Sequence, residues 1–115
     1  MFTIYHNPRC SKSRQTLALL EESKVEINIV EYLKTPLDES QIKSLLTMLA
    51  VPPVEMMRTK EAEFKEQSLS GADDNTLIQA MIDTPKLIER PIVVHNNSAV
   101  IGRPPENVLQ LIEKQ

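Results

Sequence analysis

The order of strand-like and helix-like segments restricts the fold of this chain more than any other feature. A strand-like segment over residues 1–5 is followed by a helical segment, Ser13–Glu22, and by a second strand-like segment over residues 27–32. Strands joined through a helix run parallel. Further along, the apolar run Pro91–His95 and the segment 99–101 are separated by two asparagines, which suit a tight turn. These two strands should therefore form an antiparallel hairpin.

Helical segments fill the chain between these two pairs of strands. The segment Thr35–Asp38 predicts a helix start with Thr35 as the capping residue, because a proline and a carboxylate follow it in the first turn. The residues after it carry isoleucine and leucine at intervals of three and four, the spacing of one buried helix face. Short helices are expected over about 54–67 and 76–82, and a last helix opens at Arg103–Glu106.

This order predicts an α/β fold with thioredoxin-like topology. The sheet should be mixed and four-stranded, flanked by helices, with a helical insertion of about residues 53–90 before the third strand. One domain over residues 1–115 is expected at this length. A ferredoxin-like α+β sandwich is the alternative, but it would not have two helices in series before its third strand.

Composition limits the partners that the chain can bind. The net charge is −3 and no basic tract is present, so neither nucleic acid nor a membrane surface is an expected partner. No apolar run approaches the roughly 18 residues of a membrane span, and the first residues do not resemble a signal peptide. A chain with one cysteine cannot form an internal disulfide. We therefore expect a cytoplasmic protein.

That one cysteine, Cys10, falls between the first strand and the first helix. Unpaired backbone N–H groups and the helix dipole favour negative charge at a helix N-terminus, and Arg9, Lys12 and Arg14 add positive charge nearby. These are the settings that lower the pKa of a cysteine. A buried structural cysteine is the alternative, but none of the immediate neighbours of Cys10 is apolar. The sequence therefore favours a nucleophilic thiolate.

Ser13 stands where a dithiol oxidoreductase would have its second cysteine. Its hydroxyl can donate a hydrogen bond to the thiolate or to a bound oxyanion, but it cannot resolve a mixed disulfide. Any redox cycle at Cys10 must therefore take its second thiol from another molecule.

Three segments together resemble the glutaredoxin-linked arsenate reductase family of thioredoxin-like proteins. They are IYHNPRCSKSR at residues 4–14, ERPIVV at 89–94 and IGRP at 101–104. Each segment alone is a weak signal, but the three occur in the order and at the spacing of the family over nearly the whole chain. The chain is most similar to the shorter members of that family.

The resemblance implies a role for particular residues. Cys10 would be the nucleophile that attacks arsenate, and His6 would tune it. Pro91 would be the cis-proline that faces the active cysteine. The oxyanion would be held by three arginines: Arg58, Arg90 and Arg103.

Elementary chemistry agrees with this assignment, although ordinary alternatives stay open. A guanidinium fork matches the oxygens of a tetrahedral oxyanion and keeps its charge at any working pH. Each arginine could instead be a solvated surface side chain, and His6 could simply cap a backbone group. His95, before the predicted turn, is expected to be a surface residue.

The expected function is reduction of arsenate, or of a similar oxyanion, with glutathione and glutaredoxin as external reductants. No metal and no bound organic cofactor is expected, because the sequence has neither a metal-ligand cluster nor a glycine-rich phosphate loop. One alternative is a regulator of the Spx type that binds RNA polymerase, although that branch usually carries the Cys-x-x-Cys pair that Ser13 removes. The other is a thiol reductase with a different substrate.

Overall fold

The computed structural model describes residues 1–113, in two compact units. The first unit joins Met1–Thr35 to the segment that begins at Arg90, and the second spans Pro36–Glu89. The helical insertion predicted over about 53–90 overlaps the second unit. A single domain over residues 1–115 stays a prediction, and its last two residues lie outside the described part of the chain.

A four-stranded sheet organises the first unit. Its strands are β1 (Phe2–Tyr5), β2 (Ile27–Val30), β3 (Ile92–His95) and β4 (Ser98–Ile101). They lie in the order β2-β1-β3-β4. β1 runs parallel to β2, whereas β3 is antiparallel to both β1 and β4. The predicted mixed sheet, with one parallel pair and a C-terminal hairpin, is confirmed.

Helix α1 (Ser11–Glu22) packs its apolar face into the core of this unit. Phe2 and Ile4 share that core because alternate residues of a strand point to the same side of a sheet. The remaining buried members come from α1, β3 and the C-terminal helical segment: Leu20, Val93, Val108 and Leu111. Burial of these side chains holds α1 at a fixed place on the sheet. It thereby also fixes Cys10, which directly precedes the first turn of α1.

The second unit is built from helices. They are α2 (Glu39–Leu49), α3 (Ala62–Glu66) and α4 (Asp74–Asp83), with 3₁₀ turns at Pro53–Met56 and Pro85–Leu87. The predicted apolar face of α2 is buried at Ile42 and Leu45. A β-bridge between Met57 and Ile88 joins the segments that follow the first 3₁₀ turn and the second.

The other elements follow the predicted order with small shifts at their ends. α1 begins at Ser11, two residues before the predicted Ser13. The last helical segment opens with a 3₁₀ turn, Pro105–Val108, and continues as α5 (Leu109–Glu113). Among the helices of residues 1–113, none is both long enough and apolar enough to cross a membrane.

The predicted start of α2 is wrong. The helix begins at Glu39, and its capping residue is Asp38 rather than Thr35. The Gln41 N–H donates to the Asp38 carboxylate at 2.8 Å, and the Asp38 N–H donates to the Gln41 side-chain oxygen at 2.9 Å. Two capping patterns overlap in this sequence, and this one satisfies two unpaired N–H groups reciprocally. Pro36 therefore lies before the helix and not in its first turn.

The capping role of Asp38 can be tested directly. The change Asp38→Ala should lower the free energy of unfolding by about 1 kcal/mol, the usual cost of losing an N-cap side chain. The control is Thr35→Ala, which should change it by less than about 0.5 kcal/mol, as for most surface positions. Urea denaturation of the two variants and the parent would measure both values. Equal losses in the two variants would mean that Thr35 shares the capping role.

Candidate active site

Cys10 is the N-cap residue of α1. Its backbone is extended, with φ −95° and ψ 123°, and the helix begins at the next residue. The Cys10 carbonyl accepts a hydrogen bond from the Arg14 N–H at 3.0 Å, and the Cys10 N–H donates to the Asn7 carbonyl at 3.0 Å. The residue is half-buried. Its thiol is therefore held at the positive end of a helix while remaining open to a reactant.

The surroundings of the thiol favour its ionised form. Burial opposes ionisation, but it is outweighed by hydrogen bonds from the backbone N–H groups of Ser13 and Lys12 and by the Arg90 guanidinium, which supplies both charge and a hydrogen bond. The pKa of Cys10 therefore lies below its ordinary value. The sequence predicts that the stabilising charge comes from the basic neighbours of Cys10, whereas in the structure Arg90 supplies it from the segment just before β3.

Side-chain contacts fix the loop that leads to Cys10. The Arg14 guanidinium donates to the Pro8 carbonyl at 2.9 Å, and the Arg9 N–H donates to the Asn7 side-chain oxygen at 3.0 Å. Arg14 thus ties the loop to the first turns of α1. This positional role differs from the electrostatic one that the sequence suggested for it.

His6 and Ser13 form a buried pair beneath this loop. His6 is 6% exposed and Ser13 is fully buried. Nδ1 of His6 lies 2.6 Å from the Ser13 hydroxyl oxygen, which also accepts a hydrogen bond from the Asn7 N–H at 3.1 Å. The hydroxyl predicted to face the thiolate or an oxyanion is therefore engaged with His6. The backbone N–H of Ser13 makes the contact with Cys10.

Burial is the main effect on the pKa of His6, and it lowers that pKa. The Glu31 charge raises the pKa and the Arg14 charge lowers it, so that the pKa lies below its ordinary value. The folded state therefore favours the neutral imidazole, whereas the unfolded chain takes up a proton below about pH 6.5. Stability contributed by neutral His6 is present above that pH and is lost as the pH falls toward the lowered pKa.

We expect His6→Gln to reduce the loss of stability on acidification. Denaturant midpoints would be compared between about pH 7.5 and 5, because the unfolded histidine titrates inside that window. The variant His95→Gln controls for the removal of a histidine as such. If the parent and His6→Gln lost stability in parallel over this range, His6 would not be held neutral by the fold.

Arg90 and Arg103 each precede a proline across a cis peptide bond. The Gly102 N–H donates to the Pro91 carbonyl at 2.9 Å and so links the two proline segments. Asn107 donates to the Arg103 carbonyl at 3.2 Å, which fixes the backbone at that position. The structure brings Arg90 to the thiol. Binding of an oxyanion by these arginines, and a contact of Pro91 with the thiol, stay predictions.

Arg58 belongs to the second unit. Its guanidinium forms an ion pair with the Glu61 carboxylate, and its backbone N–H donates to the Leu87 carbonyl at 2.7 Å. Lys86 lies 3.8 Å from the same carboxylate. Arg58 and Glu61 lie at the two ends of a turn, in which the Glu61 N–H donates to the Arg58 carbonyl at 3.2 Å, so their pairing is local in sequence. The predicted role of Arg58 in holding an oxyanion stays a prediction.

His95 lies partly covered at the end of β3. Its ring stacks on Phe2, with ring centroids 4.1 Å apart, and its Nδ1 lies 3.3 Å from the Met1 carbonyl oxygen. Across residues 1–113, no group of three or more histidine, cysteine, aspartate or glutamate side chains is placed to hold a metal ion.

Two contact residues of this site, Thr16 and Gly102, were not predicted from the sequence. Thr16 is fully buried on the same face of α1 as Leu20, at the four-residue spacing of neighbours on a helix. Gly102 is one of only two glycines in the chain, and it directly precedes Arg103. The helical spacing of Thr16 and the rare glycine at position 102 are visible in the sequence. Neither indicates that these two residues contact each other.

Comparison with known proteins identifies the family of this chain. The sequence model of the ArsC family matches residues 5–111. The chain belongs to the ArsC family. The membership predicted from the three segments around Cys10, Arg90 and Arg103 is confirmed.

Several known proteins are similar to this chain over nearly its whole length. A protein of Escherichia coli K12 named YfgD, described as uncharacterised, is 54% identical over 112 residues, which cover 95% of this chain and 94% of that protein. An arsenate reductase of Neisseria meningitidis serogroup A is 45% identical over 108 residues, covering 91% of this chain and 92% of the relative. The structure of an arsenate reductase from Vibrio cholerae superimposes with a TM-score of 0.92 at 48% identity, over 95% of each chain.

Proposed function

We propose that this ArsC protein is an arsenate reductase in which the Cys10 thiolate attacks arsenic. The observation that carries the proposal is the half-buried thiol at the start of α1, whose pKa is lowered by backbone N–H groups and by Arg90. Two proteins named arsenate reductase support the choice of substrate. The Neisseria relative is 45% identical in sequence to this chain, and the Vibrio cholerae protein of known structure is 48% identical in sequence.

The first step uses the two charged groups of the site. Arsenate is a tetrahedral oxyanion, so the positive Arg90 guanidinium would attract it to the thiolate. The Cys10 sulfur forms a bond to arsenic while one arsenic–oxygen bond breaks, and the departing oxygen leaves as water after taking up protons. The N–H groups that stabilise the thiolate remain available to the negative oxygens of the adduct.

The second step needs a thiol from another molecule, because the chain has one cysteine. A small thiol, for which we propose glutathione, attacks the adduct. The two sulfur atoms become a mixed disulfide on Cys10, two electrons pass to arsenic, and arsenite departs. A glutaredoxin thiol then attacks the glutathione sulfur and returns Cys10 as a thiolate. In sum, one arsenate and two thiols give one arsenite, one disulfide and one water.

A reduced thiol pool is required for this cycle. We therefore propose the cytoplasm as its compartment, because glutathione and related systems keep thiols reduced there.

The experiment that tests the proposal is arsenite production from arsenate, with glutathione and glutaredoxin supplied together and separately. We expect turnover only when both are present, and mass spectrometry should find one glutathione on Cys10 when glutaredoxin is left out. Thioredoxin in place of both should support little turnover, because the chain forms no internal disulfide for it to reduce. If a glutathione adduct formed but arsenite never appeared, the result would favour a thiol reductase with a different substrate.

A further inference from the structure

Thr16 is a fully buried polar residue in the second turn of α1. Its hydroxyl donates to the Lys12 carbonyl at 2.8 Å and lies 3.4 Å from the Gly102 carbonyl oxygen, at the long end of the hydrogen-bonding range. A hydroxyl has a single hydrogen, so the shorter bond fixes its direction. The Thr16 side chain is thereby held rigidly against the backbone of Gly102, and nothing in the proposed reaction uses its hydroxyl.

Gly102 has no room for a side chain. A Cβ at this position would lie 2.6 Å from Oγ1 of Thr16, 3.1 Å from Cγ2 of Thr16 and 2.9 Å from Cγ of Pro91. Its φ is outside the left-handed region, so close approach, and not backbone conformation, accounts for the glycine. The Gly102 N–H also donates to the Pro91 carbonyl at 2.9 Å.

Three segments of the site thus converge on one contact. α1 carries Cys10 at its start, Pro91 directly follows Arg90, and Gly102 lies against both. We propose that Thr16 and Gly102 are positioning residues, which hold the Arg90–Pro91 segment at a fixed distance from the first turns of α1. The inference deepens the proposed function and rests on it for the identity of the substrate, but it concerns only the placement of Arg90.

The contact is rigid on both sides. Threonine is branched at Cβ and has few rotamers in a helix, and the proline ring has no freely rotating bond. A methyl group added at Gly102 would lie within 3 Å of side-chain atoms on both α1 and Pro91, so it should push these two segments apart. A hydrogen bond between a guanidinium and a thiolate weakens steeply when its length or angle changes, and movement at Pro91 is passed on to the adjacent Arg90.

The test is the thiol pKa of Gly102→Ala, measured from the pH dependence of alkylation of Cys10 by iodoacetamide. We expect the pKa to rise, so that alkylation below the pKa is slowed about tenfold, the factor that one pKa unit makes in the thiolate fraction. The control is Gly71→Ala. Gly71 has φ +76° and open space around its Cβ position, so this variant strains the backbone without this contact and should keep the parental thiol pKa.

A double-variant comparison tests whether Gly102 affects the thiol pKa through Arg90. If Gly102 acts by placing Arg90, the change Gly102→Ala should have little further effect on the thiol pKa in an Arg90→Ala background. The same rise in both backgrounds would overturn the proposal, as would a folded Gly102→Ala variant with the parental pKa. Since alkylation requires no arsenate, a chain that failed to reduce arsenate could still pass this test.

If Gly102→Ala does not fold, as judged by circular dichroism, a second pair of variants tests the positioning role of Thr16. Thr16→Ala removes the side chain that bears on Gly102 and should slow alkylation of Cys10 several-fold at the same pH. Thr16→Ser keeps the oxygen against Gly102 and should restore the parental rate. Equal alkylation rates in Thr16→Ala, Thr16→Ser and the parent would overturn the assignment of Thr16.

Discussion

Replacing Cys10 by serine should reduce arsenite production by on the order of a thousandfold or more, as for other enzymes that lose their nucleophile. A serine hydroxyl is not ionised near neutral pH, so the N–H groups and the Arg90 charge that favour a thiolate have no anion to stabilise. Serine also cannot form the mixed disulfide through which arsenic is reduced. Both steps of the proposed reaction are lost together.

The measurement combines turnover with mass spectrometry. Cys10→Ser should give background arsenite and no glutathione adduct under conditions in which the parent gains one. The matched control is Ser11→Ala, which removes an exposed hydroxyl next to Cys10 and should keep parental turnover. Substantial turnover in Cys10→Ser would rule out the attack of this thiol on arsenic.

The sheet was predictable because its signals are local. Alternating strand segments, a helix between two of them and two asparagines at a turn determine the parallel pair and the hairpin without knowledge of distant contacts. The start of α2 was mispredicted for an equally local reason. Two capping patterns overlap within seven residues, Thr35 to Gln41, and the reciprocal bonds between Asp38 and Gln41 make the second the better cap.

The site was predictable only in part. The helix N-terminus around Cys10 follows from neighbouring residues, but the approach of Arg90 to the thiol follows from the pairing of β1 with β3, and only the resemblance to a family indicated it. The contact of Thr16 with Gly102 leaves no periodic pattern, because it places the Thr16 side chain against a backbone that carries no side chain. The pairing of Arg58 with Glu61 was missed although its spacing is local.

Replacing Arg90 should have the second largest effect, and it should depend on pH. Arg90 lowers the pKa of Cys10 by charge and by a hydrogen bond, so Arg90→Ala should raise that pKa toward its ordinary value. Below the new pKa the thiolate fraction falls, and kcat/KM should drop further as the pH decreases. Above it the thiolate is restored, and any remaining loss measures the contribution of Arg90 to binding arsenate.

Arg90→Lys separates the charge from the geometry of the side chain. A lysine keeps the positive charge but not the planar fork, so it should preserve more of the lowered thiol pKa than alanine does. The loss that persists at high pH should be about 10- to 100-fold in kcat/KM for both variants, the range expected for a charge-assisted hydrogen bond of about 1.5–3 kcal/mol. Arg9→Lys, at an exposed position beside Cys10, is the control and should keep the parental profile. The placement of Arg90 at the reacting atoms would be refuted by an Arg90→Ala enzyme whose kcat/KM followed the parental pH dependence without loss.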